Sequence, residues 1–194
     1  MDDPPDRILT VPNAISVVRL CCVPLFLWLL FGRDNRHAAA WLLAVLGATD
    51  WVDGFIARRW NQVSTVGKVL DPTADRLLLG VGVVAILVDG SVPVAIGVLT
   101  IVREITVALA VLLLAALGAR RIDVTWSGKA GTFGQMVAYP FFLVSHAGVG
   151  WADEARIAAW VTIVPALLFS YKALLEYLPL ARQALAAGRV TSPS

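Results

Sequence analysis

The chain is short of charge. Only 15% of its 194 residues are Asp, Glu, Lys or Arg, whereas soluble domains carry about a quarter. That shortage excludes an ordinary soluble domain, whose surface needs more. Histidine and cysteine are scarcer still, at two each. Cys21 and Cys22 are neighbours in an apolar run, which argues against a disulfide framework and for a packing role. His37 and His146 have no metal-ligand spacing and fall in expected loops, so surface or interfacial placement is expected. The N-terminus, "MDDPPDRILTVPN", lacks a cationic region and a small-residue cleavage site, so no signal peptide is expected to be removed. The formal charge of +2 is too small to argue for a nucleic-acid partner. No internal repeat stands out.

What the chain has in excess is apolar surface: 58% hydrophobic residues and a mean hydropathy of +0.76. A hydrocarbon core about 30 Å thick takes roughly 20 apolar residues per helix. Six such segments can be drawn, over residues 13–31, 38–58, 69–88, 91–117, 130–148 and 155–178. The breaks between them carry turn chemistry, as in "GRDNRH", "DGSVP" and "HAGVGWADEAR". The expected fold is an all-α membrane protein, a bundle of six transmembrane helices over residues 13–178. Residues 1–12 form an N-terminal interfacial segment, with a short interfacial helix over 7–14. Residues 179–194 form a cytoplasmic tail, and its end, "GRVTSPS", is expected to be disordered.

Orientation follows from Lys and Arg near the span ends. One side carries Arg58, Arg59, Lys68, Arg120, Arg121, Lys129, Arg182 and Arg189; the other carries Arg33, Arg36 and Arg156. The richer side is expected to be cytoplasmic, with both termini. The seven tryptophans fall mostly near predicted span ends, as interfacial anchors do. Tyr171 and Tyr177 read the same way, and Lys172 and Glu176 form an i, i+4 pair.

The charge that is present is concentrated in "DWVDGFIARRWNQVSTVGKVLDPTADRLLL", residues 50–79. Asp50, Asp53, Gly54 and Ala57 are spaced i, i+3, i+4 and i+7, which puts them on one helical face. Asp71 and Asp75 are spaced i, i+4. Two neighbouring antiparallel helices could bring four carboxylates into one small volume. Their mutual repulsion calls for cations, and an all-oxygen ligand set favours Mg²⁺ or Mn²⁺. Two such ions can clamp a diphosphate and stabilise a leaving phosphate. Gly54 and Ala57 leave room for a diphosphate to approach the backbone, and Arg58 could meet a phosphate in bidentate fashion. Charges at helix ends often only solvate the interface, and Arg59 and Lys68 fit that plainer role.

The pattern D-x2-D-G-x2-A-R-x8-G-x3-D-x3-D is matched in full by Asp50, Asp53, Gly54, Ala57, Arg58, Gly67, Asp71 and Asp75. It resembles the signature of the CDP-alcohol phosphatidyltransferases, whose six-span fold agrees with the span count. The resemblance implies transfer of a phosphatidyl group from CDP-diacylglycerol to an alcohol, with release of CMP. It implies two divalent cations on Asp50, Asp53, Asp71 and Asp75, with Asp75 also the base for the acceptor hydroxyl. It implies a CDP site lined by Asp53, Gly54, Ala57, Arg58 and Gly67. A homodimer in a bacterial plasma membrane, its active site facing the cytoplasm, is the expected setting.

For the acceptor, "VPNAISVVRL", "VREI" and "GKAGTFGQMVA" are similar to the phosphatidylglycerophosphate synthases of this family, which use glycerol 3-phosphate. Arg19, Arg103 and Lys129 are the candidate cations for the acceptor phosphate, with Arg120 and Arg121 behind them. A charge as deep as Arg103 must pair, for instance with Glu104, or face a cavity. There are departures: Gly131 stands where those synthases usually carry a second Lys, and the run after "REI" lacks an Arg. Both suit the related cardiolipin synthases, whose acceptor is phosphatidylglycerol. Two other classes compete. Intramembrane prenyltransferases also present two Asp-rich motifs, but with more spans and other spacings. A cation transporter would place its acids nearer mid-bilayer.

Overall fold

The computed structural model describes residues 11–60, 79–117 and 125–190, with side chains over 17–49, 79–114, 116–117 and 125–181. Every regular element among them is helical. Helix α1 is Val11–Leu27 and passes into a π-helical turn, Trp28–Gly32. Helix α2 is Arg36–Trp60. The described part of α3 is Leu79–Asp89. Helices α4, α5 and α6 are Val94–Ala116, Trp126–Ser145 and Ala152–Val190.

Among the described residues, two stretches are long and apolar enough to cross a bilayer, Val94–Leu114 and Ala152–Ala181; two more, Val17–Gly32 and Leu79–Asp89, are apolar but shorter. Helix α2 has the length, but it carries Asp50, Asp53, Arg58 and Arg59 in its second half.

Several boundaries differ from the sequence expectation. Helix α1 runs unbroken from Val11 across the predicted segment boundary, so residues 11–14 are not a separate interfacial helix; residues 1–10 lie outside the described residues. Pro12 sits in the first turn, where the missing amide proton has no intrahelical partner to lose. Helix α5 starts at Trp126, four residues before predicted residue 130, because Thr125 caps it by accepting from the Gly128 amide at 3.2 Å. Helix α6 continues past residue 178 to Val190, through Pro179. The residues after that proline, "LARQALAAGR", are mostly strong helix formers, so the "GRV" of the expected disordered tail is helical.

Smaller corrections follow from the same packing. His37 lies in the first turn of α2, not in a loop, and its Nε2 accepts from Trp41 Nε1 at 3.1 Å. His146 is the C-cap of α5. Trp160 lies within α6, edge-on to Phe142 at 5.9 Å between centroids. Cys21 is exposed and Cys22 half-buried, so Cys21 does not pack as expected. The Lys172–Glu176 pair forms, at 3.7 Å.

The turns at one end of the bundle are tied by charge. Arg36, before the second predicted span, donates to Asp89 at 3.0 Å and meets Asp34 at 2.8 Å. Ser91 also donates to Asp89. The Asp89 hydrogen bond raises the Arg36 pKa above its ordinary value; burial opposes this, and the charges of Asp89 and Asp34 add to it. The Asp89 carboxylate is only 5% exposed, so it depends on this partner. Arg36→Met is expected to lower stability by about 2 kcal/mol. Thermal unfolding in detergent would read this as a lower Tm, and a Tm unchanged from wild type would contradict it.

The core runs from Phe26 and Leu30 of α1 through Ala39 and Ala40 of α2 to Val83, Ile86, Phe142, Leu143 and Ile163. Helices α5 and α6 approach closely on small residues. A side-chain carbon at Gly131 would stand 2.8 Å from the Ser170 amide nitrogen and 2.9 Å from the Ala166 carbonyl oxygen. One at Gly134 would stand 2.6 Å from the Ala166 Cβ. Such contacts between small residues are how apolar helices associate where no water drives them together.

Candidate active site

The first half of the acidic motif lies on an unbroken helix. Asp50, Asp53, Gly54, Ala57 and Arg58 all fall within α2, so their spacing is a helical register, and it places the first four positions along one stripe. Gly67, Asp71 and Asp75 lie outside the described residues, as do Arg120 and Arg121. Among the described residues, no three His, Cys, Asp or Glu side chains come close enough together to hold a metal.

Helix α2 leads up to the motif along a run of small residues. Gly47 faces Met136 of α5, and a side-chain carbon at Gly47 would lie 3.5 Å from Met136 Cγ. Ala40, Ala44, Gly47 and Ala48 leave a groove of about 690 Å³ against Phe133, Met136, Val137, Pro140 and Phe141 of α5. Trp41 and Trp151 also line it. The groove is apolar, and among the described residues its α2 wall reaches Ala48, two positions before Asp50.

The three candidate acceptor cations differ in burial. Arg19 and Arg103 are buried, at 4% and 6% exposure, while Lys129 is exposed in the first turn of α5. Arg103 donates through Nη1 to Glu104, and its buried Nε has no hydrogen-bond partner among the described residues. Of the two outcomes the sequence allowed for Arg103, the ion pair with Glu104 is the one observed. At Gly131 the missing lysine has a packing cause. The backbone of α6 lies against that position, so no longer side chain fits without moving a helix.

A polar layer crosses the bundle beside this region, and residue spacing alone did not assemble it. Gln135 Nε2 donates to Ser170 Oγ at 3.1 Å. Tyr139 donates to Thr100 Oγ1 at 2.6 Å, and Tyr171 donates to the Leu99 carbonyl at 2.9 Å. Tyr171 thus ties α6 to α4. The signal available was only that each polar residue stands in an apolar run. Nearer the start of α5, Ser127 donates to Glu176 at 3.0 Å.

The comparisons with known proteins agree with the motif. The family model described as CDP-alcohol phosphatidyltransferase matches residues 9–171. The chain is 39% identical over 161 residues to a cardiolipin synthase (CMP-forming) of Streptomyces coelicolor, covering 80% of this chain and 74% of that protein. It is 33% identical over 180 residues to the CDP-diacylglycerol–glycerol-3-phosphate 3-phosphatidyltransferase of Escherichia coli K12, covering 89% of this chain and 94% of that protein.

Proposed function

The chain belongs to the CDP-alcohol phosphatidyltransferase family, and from that premise we propose that it transfers a phosphatidyl group from CDP-diacylglycerol to glycerol 3-phosphate. The products are CMP and phosphatidylglycerophosphate. The observation that carries the acceptor is Arg103. It is a buried guanidinium with one edge neutralised by Glu104 and an unclaimed Nε–H on the other, and an anionic acceptor would offset it.

In this reading six helices span the bilayer. The exposed apolar side chains of α4, such as Val98, Val102, Ile105, Leu109 and Leu112, suit a lipid-facing helix. The Lys/Arg bias puts the motif on the cytoplasmic side, where CDP-diacylglycerol presents its nucleotide. The active form is a homodimer.

Two divalent cations, Mg²⁺ or Mn²⁺, would be held by Asp50, Asp53, Asp71 and Asp75 and would neutralise the diphosphate. The helical register of Asp50 and Asp53 fits that donor set. Arg58 pairs with the diphosphate, and Gly54, Ala57 and Gly67 let it lie close to the backbone. Asp75 takes the proton of the acceptor hydroxyl. The hydroxyl oxygen then attacks the phosphatidyl phosphorus, an oxygen–phosphorus bond forms, and the bond to CMP breaks with its electron pair leaving on CMP. Holding hydroxyl and phosphorus in line supplies much of the rate.

A second reading, phosphatidylglycerol as acceptor and cardiolipin as product, is favoured by specific observations. They are the similarity to the Streptomyces enzyme, the closed position at Gly131 and the apolar groove beside α2, which suits an acyl chain. Purified protein supplied with CDP-diacylglycerol, Mg²⁺ or Mn²⁺ and each acceptor in turn separates the two. Phosphatidylglycerophosphate is the expected product; cardiolipin alone would overturn the acceptor assignment.

A further inference from the structure

Gln135 is wholly buried, at 0% exposure, and half satisfied. Its Nε2 donates to Ser170 Oγ, and its Oε1 has no hydrogen-bond partner among the described residues. Turning the amide over would exchange the two ends, and Ser170 would still satisfy only one of them. Leaving such an atom unpaired in the interior is costly, so a buried amide with one free end suits a polar group that is present only part of the time.

Along α5, Gln135 lies level with the approach to the acidic motif, with its own side chain turned to α6. Met136, the next residue, packs on Gly47 of α2, and Asp50 follows three residues later, about 4.5 Å further along that helix. The residues one turn away along α5 carry no charge. Tyr139 lies one turn along α5 with Thr100 as its partner, and Gly131, one turn the other way, admits no cation. A neutral amide among hydroxyls suits a neutral hydroxyl better than a phosphate.

We propose that Gln135, held by Ser170, binds the non-reacting hydroxyl next to the attacking one on a glycerol-based acceptor. This rests on the phosphatidyl-transfer reading given above. Glycerol 3-phosphate and phosphatidylglycerol share that pair of neighbouring hydroxyls, so the assignment holds for either. Gln135 thereby selects glycerol-type acceptors over simple alcohols.

The test is a cycle between protein and acceptor. Wild type and Gln135→Leu are each assayed with glycerol 3-phosphate and with 3-hydroxypropyl phosphate, which lacks the neighbouring hydroxyl. The lipid arm uses phosphatidylglycerol and phosphatidylpropanediol, and distinguishes which acceptor is used. Wild type is expected to lose about ten- to a hundredfold in kcat/KM with the deoxy acceptor. Gln135→Leu is expected to lose about as much with the full acceptor and little more with the deoxy one, while its KM for CDP-diacylglycerol stays at the wild-type value. Should Gln135→Leu fail to fold, Ser170→Ala is expected to give the same convergence, with a loss of about threefold on the full acceptor. Losses that simply multiply, or equal losses for both substrates, would make Gln135 structural and overturn the assignment. No transfer by wild type to either acceptor would overturn the function itself, and this assignment with it.

Discussion

Asparagine in place of Asp75 is expected to slow CMP release from CDP-diacylglycerol by about 10²- to 10⁴-fold. The amide is nearly isosteric and keeps one oxygen that can ligate, but it cannot take the acceptor's proton. The loss should therefore fall on kcat, with CDP-diacylglycerol still bound and the protein still folded. Asp50→Asn and Asp53→Asn should behave differently, because their assigned role is to hold cations. Part of their lost activity should return as Mg²⁺ or Mn²⁺ is raised, whereas Asp75→Asn, which loses the base as well as a ligand charge, should stay slow at saturating metal. If the motif were only a solvated helix end, all three would stay within a few-fold of wild type. Parallel metal titrations of the four proteins, read as initial rates of CMP release, distinguish these outcomes.

The second large effect is on folding. Gly131→Val is expected to destabilise the protein by about 3 kcal/mol, at the upper end for overpacking. The obstacle is backbone. Even one added carbon would lie 2.8 Å from the Ser170 nitrogen and 2.9 Å from the Ala166 oxygen. Neither atom can rotate away, so α6 itself must shift. Trimming Ser170 to glycine should therefore restore only part of the loss. Gly82→Ala is the control, since its added carbon meets Leu43 Cδ1 at an ordinary 3.9 Å; it should be neutral or slightly stabilising. Thermal unfolding of the three variants in one detergent gives the comparison. Wild-type stability in Gly131→Val would mean that α5 and α6 are not packed this closely.

The Asp50–Ala57 stretch and Gly131 mark where the sequence could be read and where it could not. The helical register of the motif's first half was legible because its information is local. Spacings of three and four place Asp50, Asp53, Gly54 and Ala57 on one stripe of any helix, and α2 is helical throughout that stretch. The apolar runs likewise located the helices, because burial and membrane contact both act on windows of that length.

Gly131 was not legible in the same way. In the sequence it reads as a missing lysine, and only the facing Ala166 and Ser170 of α6 give it a packing cause. Thr100, Gln135, Tyr139 and Ser170 each look like a stray polar residue, because what joins them is contact between helices far apart in the chain. The end of α6 was missed for a different reason. Hydropathy reports where a membrane span ends, and the helix forming propensity of "LARQALAAGR" carries the helix beyond that point. Arg103 was legible as a problem, a charge in an apolar run, but which edge of it would stay open depended on the fold.

The central claim is that the chain is a metal-dependent phosphatidyltransferase, and stoichiometry tests it most directly. Purified protein is given CDP-diacylglycerol labelled in both the cytidine and the acyl chains, with glycerol 3-phosphate or phosphatidylglycerol, with Mg²⁺ or Mn²⁺ and then with a chelator. The account predicts one CMP released for each phosphatidyl group appearing in the acceptor product, and neither when the cations are removed. CMP released without a matching phospholipid product, or transfer that continues undiminished in chelator, would contradict it.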